Sequence, residues 1–311
     1  MSLITQLKYK LNSNPSQYKS EFILMFCTVT WGFSFPTIKL ALDYISPNAF
    51  IFLRFAATLI IFYAFYRKKI KQFERKALIH GYILGVFLFI GFITQTIGLK
   101  HTTASNSAFI TGTYIILVPF AQISIVRIKP KIENIIGIVI VLCGLIMLTG
   151  ISDTDLNSGD FLTLFCAVAF AFHIVYLDKY SKQSDTLTLV YGQYLAMTVL
   201  SFFSMILMEG VFYSEFKLEI NGYLIFVTLF NGLFSTYIAL FLAMKFQKYT
   251  TPVRAGLIYS LEQIFAVFFA YWILSEMMGK TQIIGAVIIL GGIVFSEFYQ
   301  EIKRRLTPEK I

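Results

Sequence analysis

The sequence predicts an all-α integral membrane protein of about ten transmembrane helices, arranged as two inverted-topology five-helix repeats. Three observations predict this fold: an apolar composition, ten apolar runs separated by short polar joints, and a pattern that recurs half a chain later. The pattern is IIGIVIVLCG at Ile135–Gly144, which returns as IIGAVIILGG at Ile283–Gly292. An apolar unit that occurs twice in one chain is typical of transporters built from internal repeats.

The composition excludes a soluble globular protein. Of the 311 residues, 57% are hydrophobic and 14% are charged, and the mean hydropathy is +0.72. Soluble domains are nearer 45–50% apolar and about 25% charged, so this chain needs the lipid bilayer as its solvent. The net charge of +9 would suit nucleic acid, but the basic residues fall in short joints on one side. No nucleic-acid partner is predicted.

The apolar runs are long enough to cross a bilayer, which takes about 20 residues of helix. Because they are continuously apolar rather than alternating, they favour helices over barrel strands. The predicted organisation is a cytoplasmic lead-in at 1–21, a first repeat at 22–150, a second repeat at 151–299 and a basic tail at 300–311. The runs cover approximately residues 22–42, 47–66, 77–98, 104–126, 134–150, 159–178, 187–208, 222–244, 253–275 and 281–299.

The distribution of Lys and Arg predicts the orientation. The two tails and every second joint carry 21 of these 26 residues, whereas the other joints carry three. Positive joints stay in the cytoplasm, so both termini are predicted to be cytoplasmic. A repeat of five helices is odd-numbered, which means that the second repeat enters the membrane from the opposite side. Such repeats enclose a substrate site near the membrane midplane.

Several short motifs follow one another in a characteristic order. WGFSFP at Trp31–Pro36 lies in the first run, ASNSA at Ala104–Ala108 opens the fourth, and SLEQIFA at Ser260–Ala266 lies in the ninth. With Leu274–Glu276 and Gln282–Gly292, they resemble the drug/metabolite transporter superfamily, EamA type, over nearly the whole chain. The resemblance implies a secondary transporter of small organic metabolites, very often an exporter, without an ATPase.

Two positions depart from the pattern of that family. Gln263 stands where the family often has proline after the glutamate, and Ser275 stands where glycine often precedes Glu276. Proline breaks helices because it lacks the backbone N–H. The ninth helix is therefore predicted to lack the expected break.

Two charged residues lie deep inside apolar runs. Arg54 lies about eight residues into the second run, and Glu262 lies roughly 13 Å deep from the opposite surface. A charge at this depth costs at least about 2.5–3.5 kcal/mol and needs a partner or a wet cavity. We expect both to face a central cavity, with Glu262 protonatable and Arg54 meeting an anionic group. The alternatives are a structural Arg54–Glu262 ion pair, or Arg54 binding carbonyls at a helix break.

Other polar and aromatic residues inside the runs are candidates for the same site, although such residues also serve contacts between helices. Tyr259, Glu262, Gln263 and Ala266 follow helical spacing and are predicted to share one face. His173 changes charge near pH 6.5, which suits proton coupling; a packed histidine bonded to a carbonyl is the alternative. Glu262 and His173 are the proton-coupling candidates. The predicted substrate-binding residues are Arg54, Glu262, Tyr259, Gln263, Gln193, Asn231, Tyr237, Thr111, Tyr114 and Trp31.

The predicted function is secondary transport of a small organic metabolite by alternating access. An amino acid or related zwitterion is favoured, with its carboxylate toward Arg54 and its ammonium toward Glu262, exported across a bacterial cytoplasmic membrane and coupled, if at all, to protons. Open alternatives are a carrier for a nucleoside, an organic cation or drug, or a sugar phosphate. From other classes, an intramembrane enzyme, a lipid-handling protein or a receptor scaffold stays open.

No cofactor, metal or enzyme activity is predicted, because neither GxxxxGK[ST] nor HExxH occurs and the three histidines are far apart in sequence. Paired glycines in the fifth and tenth runs permit close packing between helices. These are Gly137 with Gly144, and Gly285 with Gly292. They predict either a seam between the two runs or a homodimer contact.

Overall fold

The computed structural model describes residues 17–149, 157–212, 216–277 and 279–306. In those ranges the chain forms ten helices, five in each repeat, and most of the predicted lead-in and part of the tail lie outside the described residues. Eight helices are long and apolar enough to cross a membrane, and the fifth and tenth contain shorter apolar stretches, Ile132–Leu148 and Lys280–Ser296. The all-α prediction is confirmed. The helices are α1 (Gln17–Ala41), α2 (Pro47–Ile70), α3 (Arg75–His101), α4 (Ala104–Val126), α5 (Ile132–Thr149), α6 (Ser158–Ser181), α7 (Thr186–Phe212), α8 (Gly222–Tyr249), α9 (Pro252–Leu274) and α10 (Lys280–Leu306).

Helices α4 and α9 are each broken near the middle. The first breaks into α4a (Ala104–Gly112) and α4b (Tyr114–Val126), and the second into α9a (Pro252–Tyr259) and α9b (Leu261–Leu274). Broken helices at membrane depth expose backbone groups that need other partners. They are common beside the substrate sites of transporters with inverted repeats.

The prediction that α9 lacks a break is wrong. The helix breaks at Ser260 without any proline at Gln263: the Ser260 hydroxyl donates to the Leu257 carbonyl, and its backbone N–H donates to the carbonyls of Gly256 and Leu257. A serine side chain can compete for the backbone carbonyls of the preceding turn. The break is thus present although the imino acid that the family often has is absent.

The two broken helices are counterparts in the repeat. Each begins at a threonine N-cap, Thr103 or Thr251, whose hydroxyl accepts the backbone N–H three residues further on. These caps are 148 residues apart, the same distance as the two glycine patterns. Tyr114 and Glu262, which follow the two breaks, are also 148 residues apart. The repeat thus places a phenol and a carboxylate at equivalent points.

Helices α5 and α10 pack along each other through their glycines. A Cβ atom on Gly144 would lie 2.8 Å from the Gly285 carbonyl oxygen, and one on Gly137 would lie 3.0 Å from the Ser296 Cβ. At Gly144 the two backbones therefore touch with no side chain between them, and at Gly137 only the small side chain of Ser296 lies between the helices. The glycine faces are thus used within one chain, and a homodimer through other faces of α5 and α10 stays a prediction.

Two carboxylates of the second repeat cap helices of the first. Glu209 accepts hydrogen bonds from the backbone N–H groups of Asn48 and Ala49 at 2.6 and 3.1 Å. Glu276 accepts from the N–H groups of Ala104 and Ser105 and from the Ser105 hydroxyl. Carboxylates stabilise helix N-termini by hydrogen bonding and by opposing the helix dipole. These caps fix the ends of α2 and α4, which carry Arg54 and Tyr114 into the interior.

Candidate functional site

A cavity lies between the two repeats, walled by helices α1, α2, α3, α6 and α8 and by the two broken helices. It offers about 80 Å³ to the centres of water molecules, where one water needs roughly 10–15 Å³. The walls are mostly apolar and aromatic, with a few polar groups among them. Six of the residues predicted from sequence line it: Trp31, Arg54, Tyr114, His173, Tyr259 and Glu262.

Arg54 is held in one orientation on the cavity wall. Its side chain is buried, its Nε–H donates to the Thr236 hydroxyl at 2.6 Å, and its guanidinium carbon lies 4.7 Å from the centre of the Phe92 ring. A guanidinium has five N–H donors, and within the described ranges only this one makes a hydrogen bond. The terminal nitrogens are therefore available to an anionic group in the cavity.

The partner of Arg54 lies on an irregular part of α8. Residues Asn231–Ile238 form a π-helical stretch, a geometry that is rare and frequent at functional sites. Neighbouring side chains satisfy its carbonyls: the Trp31 indole N–H donates to Ser235 at 2.9 Å, and the Tyr194 hydroxyl donates to Thr236 at 3.1 Å. The stretch is held by α1, α2 and α7 together, which fixes the Thr236 hydroxyl for Arg54.

Glu262 lies in the first turn of α9b, directly after the break. It is partly exposed, and the space that exposes it is the cavity. Within the described part of the chain its carboxylate makes no hydrogen bond and no ion pair, and Arg54 likewise forms no ion pair. The structural Arg54–Glu262 ion pair, one of the alternatives from sequence, is therefore absent between these two described residues.

The predicted common face of α9 is only partly observed. Tyr259 and Glu262, on either side of the break, reach the cavity, whereas Gln263 packs against Gly112 of α4a, where an added Cβ would lie 2.9 Å from its amide carbon. Ala266 packs against Gly32 of α1. Glu262, Gln263 and Ala266 all lie on α9b, so the predicted face is too wide, and its Gln263 side is covered by neighbouring helices.

His173 lines the cavity and pairs with a side chain rather than with a backbone carbonyl. Its Nε2 lies 3.2 Å from the Gln193 Oε1. Nearby, the Tyr259 hydroxyl donates to the Gln247 Oε1 at 2.9 Å, and the Gln247 amide donates to the Ile174 carbonyl at 2.7 Å. Gln193 thus positions a cavity residue without lining the cavity itself.

The remaining predicted residues lie further from the cavity. The Thr111 hydroxyl accepts from Gln95, which does line it, at 3.0 Å. Asn231 bonds to its own helix at Val227, and the Tyr237 ring stacks near Phe65. Asn231 and Tyr237 therefore have no place in the cavity wall of this conformation.

Gln95, Gln247 and Phe92 are among the wall residues that sequence reasoning missed. Gln95 and Gln247 are single amides within or at the end of apolar helices. A single amide in an apolar helix could have been predicted to line a cavity. Phe92, whose ring lies over the Arg54 guanidinium, carried no signal, because Phe is among the commonest residues of this chain.

Comparison with known proteins gives the family. The model of the EamA-like transporter family matches residues 19–150 and again residues 157–298. This chain belongs to the EamA-like transporter family. Its two matched segments correspond to the two five-helix repeats, and membership makes the protein a multi-pass membrane transporter.

Relatives of this EamA-like transporter occur in Archaeoglobus fulgidus. An uncharacterized transporter of that organism is 33% identical over 271 residues, which cover 87% of this chain and 83% of the relative. A second uncharacterized transporter there is 23% identical, with 88% and 96% of the two chains covered. A crystal structure of a protein matches with a TM-score of 0.72 over 92% of this chain and 99% of its own. At 15% identity that match shows the fold alone.

Proposed function

We propose that this EamA-like transporter carries an amino acid or a related zwitterion by alternating access, and that it works as an exporter. The observation that carries the proposal is that Arg54 and Glu262 line one cavity while forming no ion pair with each other. Two opposite charges that are buried without a mutual bond leave room for a solute that bears both charges.

The carboxylate of the solute would bind the terminal nitrogens of Arg54. An arginine can hold a carboxylate through two parallel hydrogen bonds, which are among the strongest in proteins. The ammonium group would then meet the Glu262 carboxylate. Since charge interactions strengthen where the surroundings are apolar, the mostly apolar cavity favours a zwitterion over a neutral solute, and its aromatic walls accommodate the rest of the molecule.

Glu262 is also the proposed proton carrier. A carboxylate that makes no hydrogen bond to the described protein can exchange between a proton and the ammonium group without breaking internal bonds. Competition between those two partners would couple export to the proton gradient. His173 would assist from the opposite wall through its bond to Gln193.

The orientation is part of the proposal. Basic joints are typical of the cytoplasmic face, and we infer from them that both termini lie in the cytoplasm of a bacterial cell. The five-helix repeats then invert about the cavity, and rocking of one repeat against the other exposes it to each side in turn.

The test is counterflow in proteoliposomes that contain the purified protein. We expect exchange of a radiolabelled amino acid, faster at a pH gradient directed against the solute gradient, with no covalent change of the solute. The panel also contains nucleosides, organic cations and sugar phosphates. Exchange confined to one of those solutes would overturn the zwitterion, chemical conversion would support an intramembrane enzyme, and no exchange at all would support a scaffold.

A further inference from the structure

A second, polar cleft lies at one end of the helix bundle, away from the central cavity. It is formed by the start of α1, the joint between α4 and α5, and the joint between α8 and α9. It offers about 290 Å³ to the centres of water molecules. These are joints of the basic set, so the cleft opens on the face that carries most of the positive charge.

Three lysines in this cleft are not neutralised by the protein. Lys129, Lys131 and Lys248 line it, and within the described ranges none of them forms an ion pair with a carboxylate. Arg254 also lines the cleft, but it is paired with the buried Glu21 at 3.0 Å. The cleft therefore presents three lysines without ion pairs to whatever occupies it, while the buried carboxylate of Glu133 acts on Arg254.

The floor of the cleft supplies a hydrogen-bond acceptor. Gln122 is 3% exposed, and its Nε2 donates to the Ile128 carbonyl at 3.0 Å. Its Oε1 is buried and accepts no hydrogen bond from any described residue. A buried polar atom of this kind requires a partner, and a small shift of the Gln122 amide toward the cleft would let a hydroxyl or N–H group of the occupant supply it.

Apolar side chains lie beside the lysines. Ile128 is 61% exposed and Ile132 is 62% exposed, in the same joint and at the start of α5. At the end of a transmembrane bundle, such residues lie where the hydrocarbon of the bilayer meets the headgroups. The occupant thus meets positive charge, a hydrogen-bond acceptor and an apolar edge at once.

We propose that this cleft binds the phosphate ester headgroup of an anionic phospholipid that carries a hydroxyl group, such as phosphatidylglycerol. Lysines bind phosphate as point charges, and basic pockets between transmembrane helices on the cytoplasmic side hold lipid headgroups. The hydroxyl of the headgroup donates to the Gln122 Oε1, and the acyl chains lie along Ile128 and Ile132. A free phosphate ester offers the same headgroup chemistry without the chains.

The site also bears on the transporter as a whole. Thr250 and Thr251 line the cleft, and Thr251 is the N-cap of α9a, the helix segment that ends at Tyr259 in the central cavity. Bound lipid therefore contacts the end of a helix that also lines the central cavity. The inference requires only that the protein lies in a membrane, and it does not depend on which solute the protein carries.

The experiment counts phospholipids bound to the purified full-length protein by native mass spectrometry during titration with phosphatidylglycerol or phosphatidylcholine. The test variant is Lys129→Gln/Lys131→Gln/Lys248→Gln. The matched control is Lys68→Gln/Lys69→Gln/Lys71→Gln, which removes the same charge from exposed positions at the end of α2 and in the α2–α3 joint. We expect phosphatidylglycerol to bind at least tenfold more weakly to the test variant and less than twofold more weakly to the control.

Competition then separates the two sources of the headgroup. If glycerol 3-phosphate displaces the lipid, the headgroup alone is recognised; if it does not, the acyl chains are required; both results support the site. Equal losses in the two triple variants, no loss in either, or equal binding of phosphatidylcholine would overturn it. Lys129→Gln alone, at an exposed position, gives the same comparison should the triple variant unfold.

Discussion

Arg54 is a buried charged residue within a membrane-spanning helix, where desolvation of the charge is unfavourable. Its burial costs several kcal/mol even after relaxation, and the contacts with Phe92 and Thr236 offset part of this, with about 0.5–2 kcal/mol from the aromatic ring. The remaining N–H donors make no hydrogen bond to the described protein, as the proposed anion site requires. A residue that served only structure would use those donors within the protein.

We expect Arg54→Lys to weaken solute binding at least tenfold. Lysine keeps the charge but loses the planar fork that holds both a carboxylate and the Thr236 hydroxyl. The readout is the solute-induced shift in the unfolding temperature of the purified protein. Arg67→Lys, an exposed position on the same helix, is the control. Wild-type affinity in Arg54→Lys would show that charge alone suffices.

Glu262→Gln removes a charge and a proton site while nearly keeping the side-chain shape. We expect counterflow to fall at least tenfold and its residual rate to lose its pH dependence, because no carboxylate is left to choose between proton and ammonium. Glu219→Gln, in an exposed joint, should leave both unchanged. A Glu262→Gln protein that retains the wild-type pH profile would place proton coupling elsewhere, with His173 the next candidate.

At the scale of helices, the α5–α10 seam depends on residues that have no side chain. Along α10 the glycines are not equivalent: a Cβ on Gly285 would meet the Gly144 carbonyl oxygen at 2.6 Å, whereas one on Gly291 would meet nothing within 4 Å. Membrane helices associate largely by such close packing. The two glycines therefore provide a test and a control on one helix.

We expect Gly285→Ala to lower the free energy of unfolding by about 1–3 kcal/mol, the usual effect of overpacking. Gly291→Ala should raise it by roughly 0.5–1 kcal/mol, since alanine is the better helix former. Thermal unfolding of both variants in detergent measures the difference. The same sign of change in both would mean that the seam is looser than the structure indicates.

At the scale of the whole molecule, the inverted repeats and the basic joints imply opposite exposure of neighbouring joints. Position 71 lies in the basic joint between α2 and α3. Position 217 lies in the joint between α7 and α8, which is predicted to face the opposite side of the membrane. Both positions are exposed. We expect a cysteine at Lys71 to react with a membrane-impermeant maleimide only from the cytoplasm, and one at Lys217 only from outside. The background is a chain in which Cys27, Cys143 and Cys166 are replaced. Labelling of both from the same side would contradict the topology.

Much of the fold could be predicted because lipid imposes it. Every apolar run had to become a helix to satisfy its backbone, and Thr103 and Thr251 cap counterpart helices at the spacing of the sequence repeat. The break at Ser260 was missed because proline was taken as its signal. The Ser260 hydroxyl bonds to the preceding turn, but Thr28 and Thr30 make the same bond inside the unbroken α1, so such a residue does not predict a break.

The sequence by itself determined the number of helices, the repeat, and the presence of two costly charges at similar depth, since hydropathy and spacing are local properties of the chain. Only the tertiary structure decided that Arg54 contacts Thr236 and Phe92, that Glu262 faces the cavity while Gln263 packs on Gly112, and that three lysines border one cleft. Those facts depend on how neighbouring helices pack and on contacts between residues far apart in sequence, which no spacing along a single helix records.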